Sequence, residues 1–546
     1  MKRILIGIVS LGLLVGLFSF THYEDDQFLV STNLNIFATL FRELNTHYVD
    51  EIPTEEIVNT GIKAMLSSLD PYTAYIPESE LENYRTSTTG EYGGIGAVVG
   101  MRNGVNTVLM PYIGFPAYKA GLIIGDQILK INGKALSDEP SVHISEKLKG
   151  QPGTSITLTV KRLGQETPFE VDIMRDKIVI SNVAYYDIHS DDVGYIRLTD
   201  FTTHAGKEVK DALLDLKSQG ATKLILDLRD NPGGLLDEAI NVANVFIPKG
   251  KEIVSTRGKV KSWVKNYDAP ESSTDEEIPM IVLTNGGTAS AAEIVSGVIQ
   301  DYDRGVLVGT RTFGKGLVQA TRPLPYNSQL KITTAKYYIP SGRCIQAIDY
   351  SEKNEDGSVR AIPDSLKVAF KTSKGRTVYD GGGIMPDIES EPHEYSNLLF
   401  NIVNNNLIFE YVNEYYVQHS EISDAKQFSI SDEEYKEFVS WIKQKDVSFS
   451  SEMDRAIEAL EKMAKEEKYY VGVEEEINDL KSKVEAIKAN YLIEFQFEVK
   501  LMLEQEIVSR YYFHKGMIES GIYKDKTIAK AVDVLNDSYR YNRILN

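Results

Sequence analysis

The chain has 546 residues, enough for several domains that each bury a core of their own. A formal net charge of −20 argues against nucleic acid as a partner, because phosphates are neutralised by Lys and Arg. One cysteine, Cys344, excludes an intrachain disulfide and a thiolate cluster, and the eight histidines keep no metal-binding spacing, so no metal and no cofactor is expected.

Lys2 and Arg3 precede 17 uncharged, mostly apolar residues, Ile4 to Phe20, and acids follow at once. That order of charge and hydropathy predicts a signal peptide or membrane anchor over 1–22, and so an exported, periplasmic or cell-envelope protein. Residues 23–90 alternate helical stretches with turn signals such as "LDPYTAYIP". From 91 to 176 short β-like runs ("TVLMPYI", "DQILKING", "SITLTVKR") are separated by N-G, P-G and L-G pairs, which predicts a small β-rich module. Its opening "GEYGGIGAVVG" lacks the third glycine and the βαβ setting of a dinucleotide fingerprint. It reads better as a loop whose successive amides, over Tyr92, Gly93, Gly94, Ile95 and Gly96, capture a peptide carboxylate.

Residues 177–395 change rhythm to alternating strands and helices: "VGYIRL", then a helix with Val209, Ala212, Leu213 and Leu216 on one face, then "KLILDL", a helix through Ala239, Val242 and Phe246, "PMIVLTNGG", and "SAAEIVSGVIQDY". The pattern predicts a parallel-sheet α/β core with sites at the carboxyl ends of strands, where "RDNPGG" and "TNGGTAS" both fall. From 396 to 546 there is no proline and only three glycines, and Ile477, Leu480, Val484, Ile487 and Tyr491 keep helical spacing. This stretch is read as a separate helical region, an intramolecular bundle rather than a sustained coiled coil.

The stretch "GTRTFGKGLVQA", 309–320, imitates a phosphate loop until Gly316 stands where that motif needs Ser or Thr, and "LVQA" is β-rich where a helix should begin. Lys315 therefore needs another use. Ser290 heads the helix "SAAEIV", where Ser290 and Glu293 form a capping box. A serine at a strand-to-helix turn after two glycines is also placed for nucleophilic attack, with the Ala291 amide and the helix N-terminus facing an incoming oxyanion. Such a serine needs a base, and a neutral lysine serves if no carboxylate pins it as ammonium. From Arg304 to Ala347 there is no Asp or Glu, where composition leads to about six. Gln319 is placed to hold the amine, and Gly233 or Gly234 to supply a second oxyanion amide.

These motifs in this order resemble the C-terminal processing peptidases, or tail-specific proteases, which are PDZ-containing serine-lysine peptidases. The likeness runs over roughly 320 residues, from "LDPYTAYIP" to "GGGIMPDIE", and includes "PAYKAGLIIGDQILKING", "LILDLRDNPGGLLDEA" and "VLTNGGTASAAEIVSG". It implies a peptidase core with a crotonase- or Clp-protease-like sheet, an inserted PDZ domain and a helical C-terminal extension. It also implies that Ser290 is the nucleophile, Lys315 the general base, Gln319 its orienting partner, and Ala291 with Gly233 and Gly234 the oxyanion hole. The implied partners are protein or peptide substrates with an accessible C-terminus, with a homo-oligomer and a membrane anchor left open. A non-catalytic peptide-tail-binding scaffold is the competing expectation, and the intact Ser290, Lys315 and Gln319 weigh against it.

Overall fold

Strands such as "KLILDL" and "PMIVLT" are apolar at nearly every position, and a strand of that kind is stable only if both faces of its sheet are covered. The computed structural model describes residues 28–136, 141–353, 359–391, 395–445 and 452–546. The predicted export segment lies outside them. The chain divides into a smaller unit, Met1–Tyr75 with Thr321–Ile332, and a larger one, Ile76–Ala320 with Thr333–Asn546. In the smaller unit, helix α1 spans 28–47 and helix α2 spans Thr54–Ser67. α1 leaves Phe28, Leu34, Phe37 and Leu40 exposed.

In the larger unit, helix α3 (Leu81–Thr89) ends on Gly90 in the left-handed region and leads into the β-rich module. Strand β1 (Glu91–Gly94) comes first, followed by β2 (Ala97–Arg102), β3 (Val105–Pro111), the short helix α4 (Pro116–Lys119), β4 (Gln127–Ile131), helix α5 (Ser141–Leu148), β5 (Ser155–Lys161), β6 (Phe169–Met174) and β7 (Asp176–Val179). β2 to β6 form one antiparallel sheet around Val108, Ile128, Ile144, Leu158 and Ile173. β1 and β7 pair outside that sheet, Tyr92 opposite Ile178 and Gly93 opposite Lys177, and so tie the two ends of the module together.

The α/β core follows: β8 (Val183–Ser190), β9 (Val193–Leu198), α6 (Ala205–Ser218), β10 (Lys223–Asp227), α7 (Leu236–Asn244), β11 (Met280–Thr284), α8 (Ala291–Asp301), β12 (Val306–Gly309) and β13 (Ile388–Glu389). These six strands lie side by side in the order β8-β9-β10-β11-β12-β13. β8 is antiparallel to β9, and the other neighbours are parallel. The side-chain alternation is clean. Ile196, Leu224, Leu226, Met280, Val282 and Leu307 join a core with α6, α7 and α8. Tyr195, Ile225, Ile281, Leu283, Val306 and Val308 point the other way, into a second core.

The helical stretch 396–546 builds a core of its own and also closes that second core. The helices α9 (Asn397–Asn404), α10 (Leu407–Gln418), α11 (Asp432–Lys443), α12 (Glu452–Glu466), α13 (Glu474–Glu494) and α14 (Gln496–Ile522) include a bundle with its own core, built on Leu399, Val412, Phe438, Leu503 and Ile507. The end of α14 and the last two helices, α15 (Lys526–Asn536) and α16 (Ser538–Leu545), instead cover the second face of the sheet through Ile518, Ile522, Ile528, Val534, Leu535 and Leu545. Tyr541 adds a polar tie: the Met280 amide donates to its hydroxyl at 3.0 Å. The helices at the chain's end are therefore the second layer of the α/β core. Ile528→Ala, at a fully buried position, should lower stability by about 2–5 kcal/mol. In thermal unfolding the loss should appear in the same transition as the sheet, not in a separate helical one.

Candidate active site

β11 ends at Thr284, and the turn Asn285–Ala289 carries the chain to Ser290 at the head of α8. The turn is cross-tied to the neighbouring "RDNPGG" turn after β10. Asn285 Oδ1 accepts from the Asp230 amide at 2.9 Å, Thr288 Oγ1 donates to the Leu228 carbonyl at 2.8 Å, and the Ala289 amide donates to the Asn231 carbonyl at 2.9 Å. Ser290 itself has φ 55° and ψ −115°, a backbone conformation unfavourable for any residue with a side chain. The contacts around it must therefore hold it there.

Glu293 does most of that holding. Its carboxyl is fully buried, and four donors converge on it. Oε2 accepts from the Ser290 amide at 2.8 Å and the Lys315 amide at 2.9 Å; Oε1 accepts from the Gly314 amide at 2.7 Å and Thr312 Oγ1 at 2.5 Å. The predicted capping box of Ser290 and Glu293 thus forms, and the Glu293 amide also lies 2.9 Å from the main-chain oxygen of Ser290. One carboxyl oxygen binds the backbone of both Ser290 and Lys315. Tyr337 repeats the link from the other side, its hydroxyl facing the carbonyls of Ser290 (3.1 Å) and Lys315.

The two glycines around Lys315 are required by space. A Cβ on Gly314, which has φ +87°, would lie 2.4 Å from Ala347 Cβ, and one on Gly316 would lie 2.8 Å from the Gln346 amide nitrogen. Lys315 is half-buried between them. Gln319 follows in the strand Leu317–Leu324, and its Nε2 donates to Thr333 Oγ1 at 3.3 Å. Gly233, at φ +91°, packs directly on the serine turn: a Cβ there would lie 2.8 Å from Ser290 Cβ and 2.7 Å from the Ala291 amide nitrogen. The Gly233 amide donates to Asn231 Oδ1 at 2.8 Å. A Cβ on Gly234 would strike the Phe201 carbonyl at 2.4 Å.

The backbones of Ser290, Ala291 and Lys315 and the Gly233–Gly234 pair thus converge at the carboxyl ends of β10, β11 and β12, with Gln319 on a strand of another sheet. The module's loop is built on elements of its own. Tyr92, Gly93 and Gly94 lie in the β1–β7 ribbon, Ile95 is buried in the module's core, and Gly96 turns at φ +72° where a Cβ would lie 2.5 Å from Phe115 Cβ.

Three features escaped the sequence reading, the Tyr337 link among them. The acid-free stretch around Lys315 does not keep carboxyls away, because Glu293 reaches it from 22 residues upstream. Burial pushes the Glu293 carboxyl up to about 7, against the pull of its Thr312, Lys315, Gly314 and Ser290 bonds, so the group is largely neutral below that pH. The second feature is Asp227, fully buried under the glycine turn and gripped by Arg229 through bonds of 2.9 and 2.6 Å. Burial alone would raise the Asp227 carboxyl, but the guanidinium beside it holds it below the usual carboxylate range. The "D-x-R" within "LDLRDN" was a visible signal for this pair; for Tyr337 no signal was available.

Ser290, at a strand-to-helix turn, is thus tied through one buried carboxyl to the half-buried Lys315 on an α/β core. The model of Peptidase family S41 matches residues 192–352, a PDZ-domain model matches 109–162, and a model described as probable PDZ-protease, C-terminal helical domain, matches 398–535. A carboxy-terminal-processing protease from Bartonella bacilliformis is 43% identical over 57% of this chain and 72% of its own length. A probable CtpA-like serine protease from Staphylococcus saprophyticus is 35% identical over 59% of this chain and 66% of its own. A solved photosystem II D1 C-terminal processing protease is 26% identical, with a TM-score of 0.35, over 65% of this chain and 92% of that one. The chain belongs to peptidase family S41, as a serine peptidase with a PDZ domain and a helical C-terminal domain.

Glu293→Gln tests the linking carboxyl. Gln puts an N–H₂ where an oxygen now accepts two donors, so buried donors lose their acceptor and stability should fall by about 1–3 kcal/mol. The pH dependence has a definite sign. With a folded-state value of about 7 against an ordinary 4.5, the protonated form is the one folding favours. Its contribution is complete below pH 4.5 and is lost as pH rises to 7. Thermal melts should therefore show wild type losing stability relative to Glu293→Gln across that window.

Proposed function

We propose that this chain hydrolyses polypeptides at Ser290 with neutral Lys315 as general base, after its PDZ module has captured the substrate's free C-terminus. The observation that carries the reading is the shared Glu293 oxygen, which supports placing Ser290 and Lys315 in one catalytic unit. Ser290 Oγ attacks the scissile carbonyl while the Lys315 amine accepts its proton. Gln319 orients that amine. The oxyanion is held by the Ala291 amide, at the positive end of α8, and by the glycine turn. Because Asn231 already accepts from Gly233, Gly234 is the second donor in this reading. The lysine ammonium then protonates the departing amine, and water repeats the sequence on the acyl-enzyme to release the product and the serine.

The PDZ loop supplies selection. A peptide adding to a sheet edge gains backbone hydrogen bonds, and its terminal carboxylate takes the amides about Gly93 to Gly96. Capture raises the local concentration of the tail near Ser290. The apolar run Ile4–Phe20 behind two basic residues supports export to the cell envelope, with that segment as signal or anchor.

The decisive experiment uses an unstructured peptide with an apolar free C-terminus. Cleavage is expected with wild type. Ser290→Ala and Lys315→Ala should each lose several orders of magnitude, Gln319→Ala less. Lys315→Arg should be inactive, because a guanidinium stays protonated at all working pH values; retained activity would remove Lys315 from the base role. The wild-type kcat/KM should rise with pH to a plateau, as only the neutral amine works. Amidating the same peptide should slow cleavage, and equal rates for acid and amide would overturn tail capture.

A further inference from the structure

Arg229 opens the turn that presents Gly233 and Gly234, and its guanidinium has two acidic partners. Toward the sheet it holds Asp227, which Tyr195 Oη also reaches at 2.7 Å. Toward the helical domain its Nη1 donates to Asp525 Oδ2 at 2.6 Å. The side chains of Arg229 and Asp525 are 16% and 25% exposed, so the pair is screened from water far more than a surface ion pair. Asp525 divides its work by atom. Oδ1 caps α15, accepting from the Thr527 amide at 2.8 Å and the Ile528 amide at 3.1 Å, while Oδ2 is the one that takes Arg229. Asp525 also falls outside the stretch matched by the S41 model and inside that of the helical domain.

The contacts downstream of Arg229 run to the reaction site. Asp230, at φ 58°, is clasped by Asn285 of the serine turn, the Asn285 Nδ2 donating to Asp230 Oδ1 at 2.8 Å. Asn231 anchors to the Leu198 carbonyl at 2.8 Å and accepts from Gly233. The turn is thus pinned at its start by Arg229 and at its middle by Asn231, and a guanidinium with two fixed carboxylates has no alternative position.

We infer that Asp525 is a positioning residue of the active site: the helical domain, through this one carboxylate oxygen, sets the turn that carries Gly233 and Gly234. The inference rests on the peptidase reading above and deepens it. It makes the helical domain part of the machinery rather than a cover only.

Two substitutions separate this role from helix capping. Asp525→Asn keeps a side-chain oxygen that caps as well as Asp does, but puts an N–H₂ donor against Arg229 Nη1. Asp525→Glu keeps the carboxylate for Arg229 and weakens the cap. In the full chain, with Ser290-dependent peptide cleavage as readout, Asp525→Asn should lower kcat on the order of tenfold with KM within about twofold, and Asp525→Glu should retain more of kcat. Arg229→Lys, which cannot span two carboxylates, should behave like Asp525→Asn. Hydrogen exchange at the Gly233 and Gly234 amides should speed up on the order of tenfold in Asp525→Asn and Arg229→Lys. Wild-type kcat in Asp525→Asn, or Asp525→Glu the more impaired of the two, would overturn the inference while leaving the peptidase reading standing. If wild type shows no Ser290-dependent cleavage, the peptidase reading fails, and exchange at the two glycines decides the positioning role alone: unchanged exchange rejects it.

Discussion

A single buried carboxyl holds the site together. Burying Glu293 would be strongly unfavourable if its oxygens were left without donors, and here four are supplied, from Ser290, Thr312, Gly314 and Lys315. Those donors come from two loops on different strands, so satisfying one group closes the loops onto each other. The Ser290 backbone at φ 55° persists because the amide it presents has an acceptor only in that arrangement. The neutral form has a place too: Thr312 Oγ1, which takes the Ile384 amide at 2.6 Å, has a second lone pair for a carboxyl proton. Glu293 can therefore titrate without the loops separating.

The loops are carried by a sheet whose two faces are buried by different parts of the chain. α6, α7 and α8 cover one face, and helices from the very end of the sequence cover the other. Because the strands are parallel, their carboxyl ends lie together, and the glycine turn, the serine turn and the lysine loop all start from that edge. The helical domain meets the PDZ module as well. Tyr118 of α4 packs edge-on against Phe513 at a centroid distance of 5.2 Å, and Asn406 Nδ2 donates to Asn103 Oδ1 at 2.9 Å. Phe513 interrupts α14 with φ 54° and ψ −152°, so the helix bends where the module touches it. The same helix, past that bend, reaches the sheet through Ile518 and Ile522.

Much of this was legible in the residues alone. Strand and helix rhythm identified the α/β core, because apolar runs and helical spacing are local signals that survive without tertiary context. The turns were legible for the same reason: glycines at 233, 234, 314 and 316 mark backbone positions where a side chain cannot fit. The pair Ser290 and Glu293 read as a helix cap, and it is one. Capping and site assembly use the same carboxyl, and no local rule tells the two apart.

The amino-acid sequence by itself determined the elements, the β-rich module, the candidate serine and lysine, and the motif order that marks the family. Only the tertiary structure decided which charges meet. A gap free of Asp and Glu along the chain is filled in space by Glu293, and Arg229 is completed by Asp525, 296 residues away. It also decided that α15 and α16 complete the core instead of standing apart, since an amphipathic helix states that one face is buried but not against what. Ion pairs and layer order depend on how distant segments come together, and one-dimensional spacing carries no record of it.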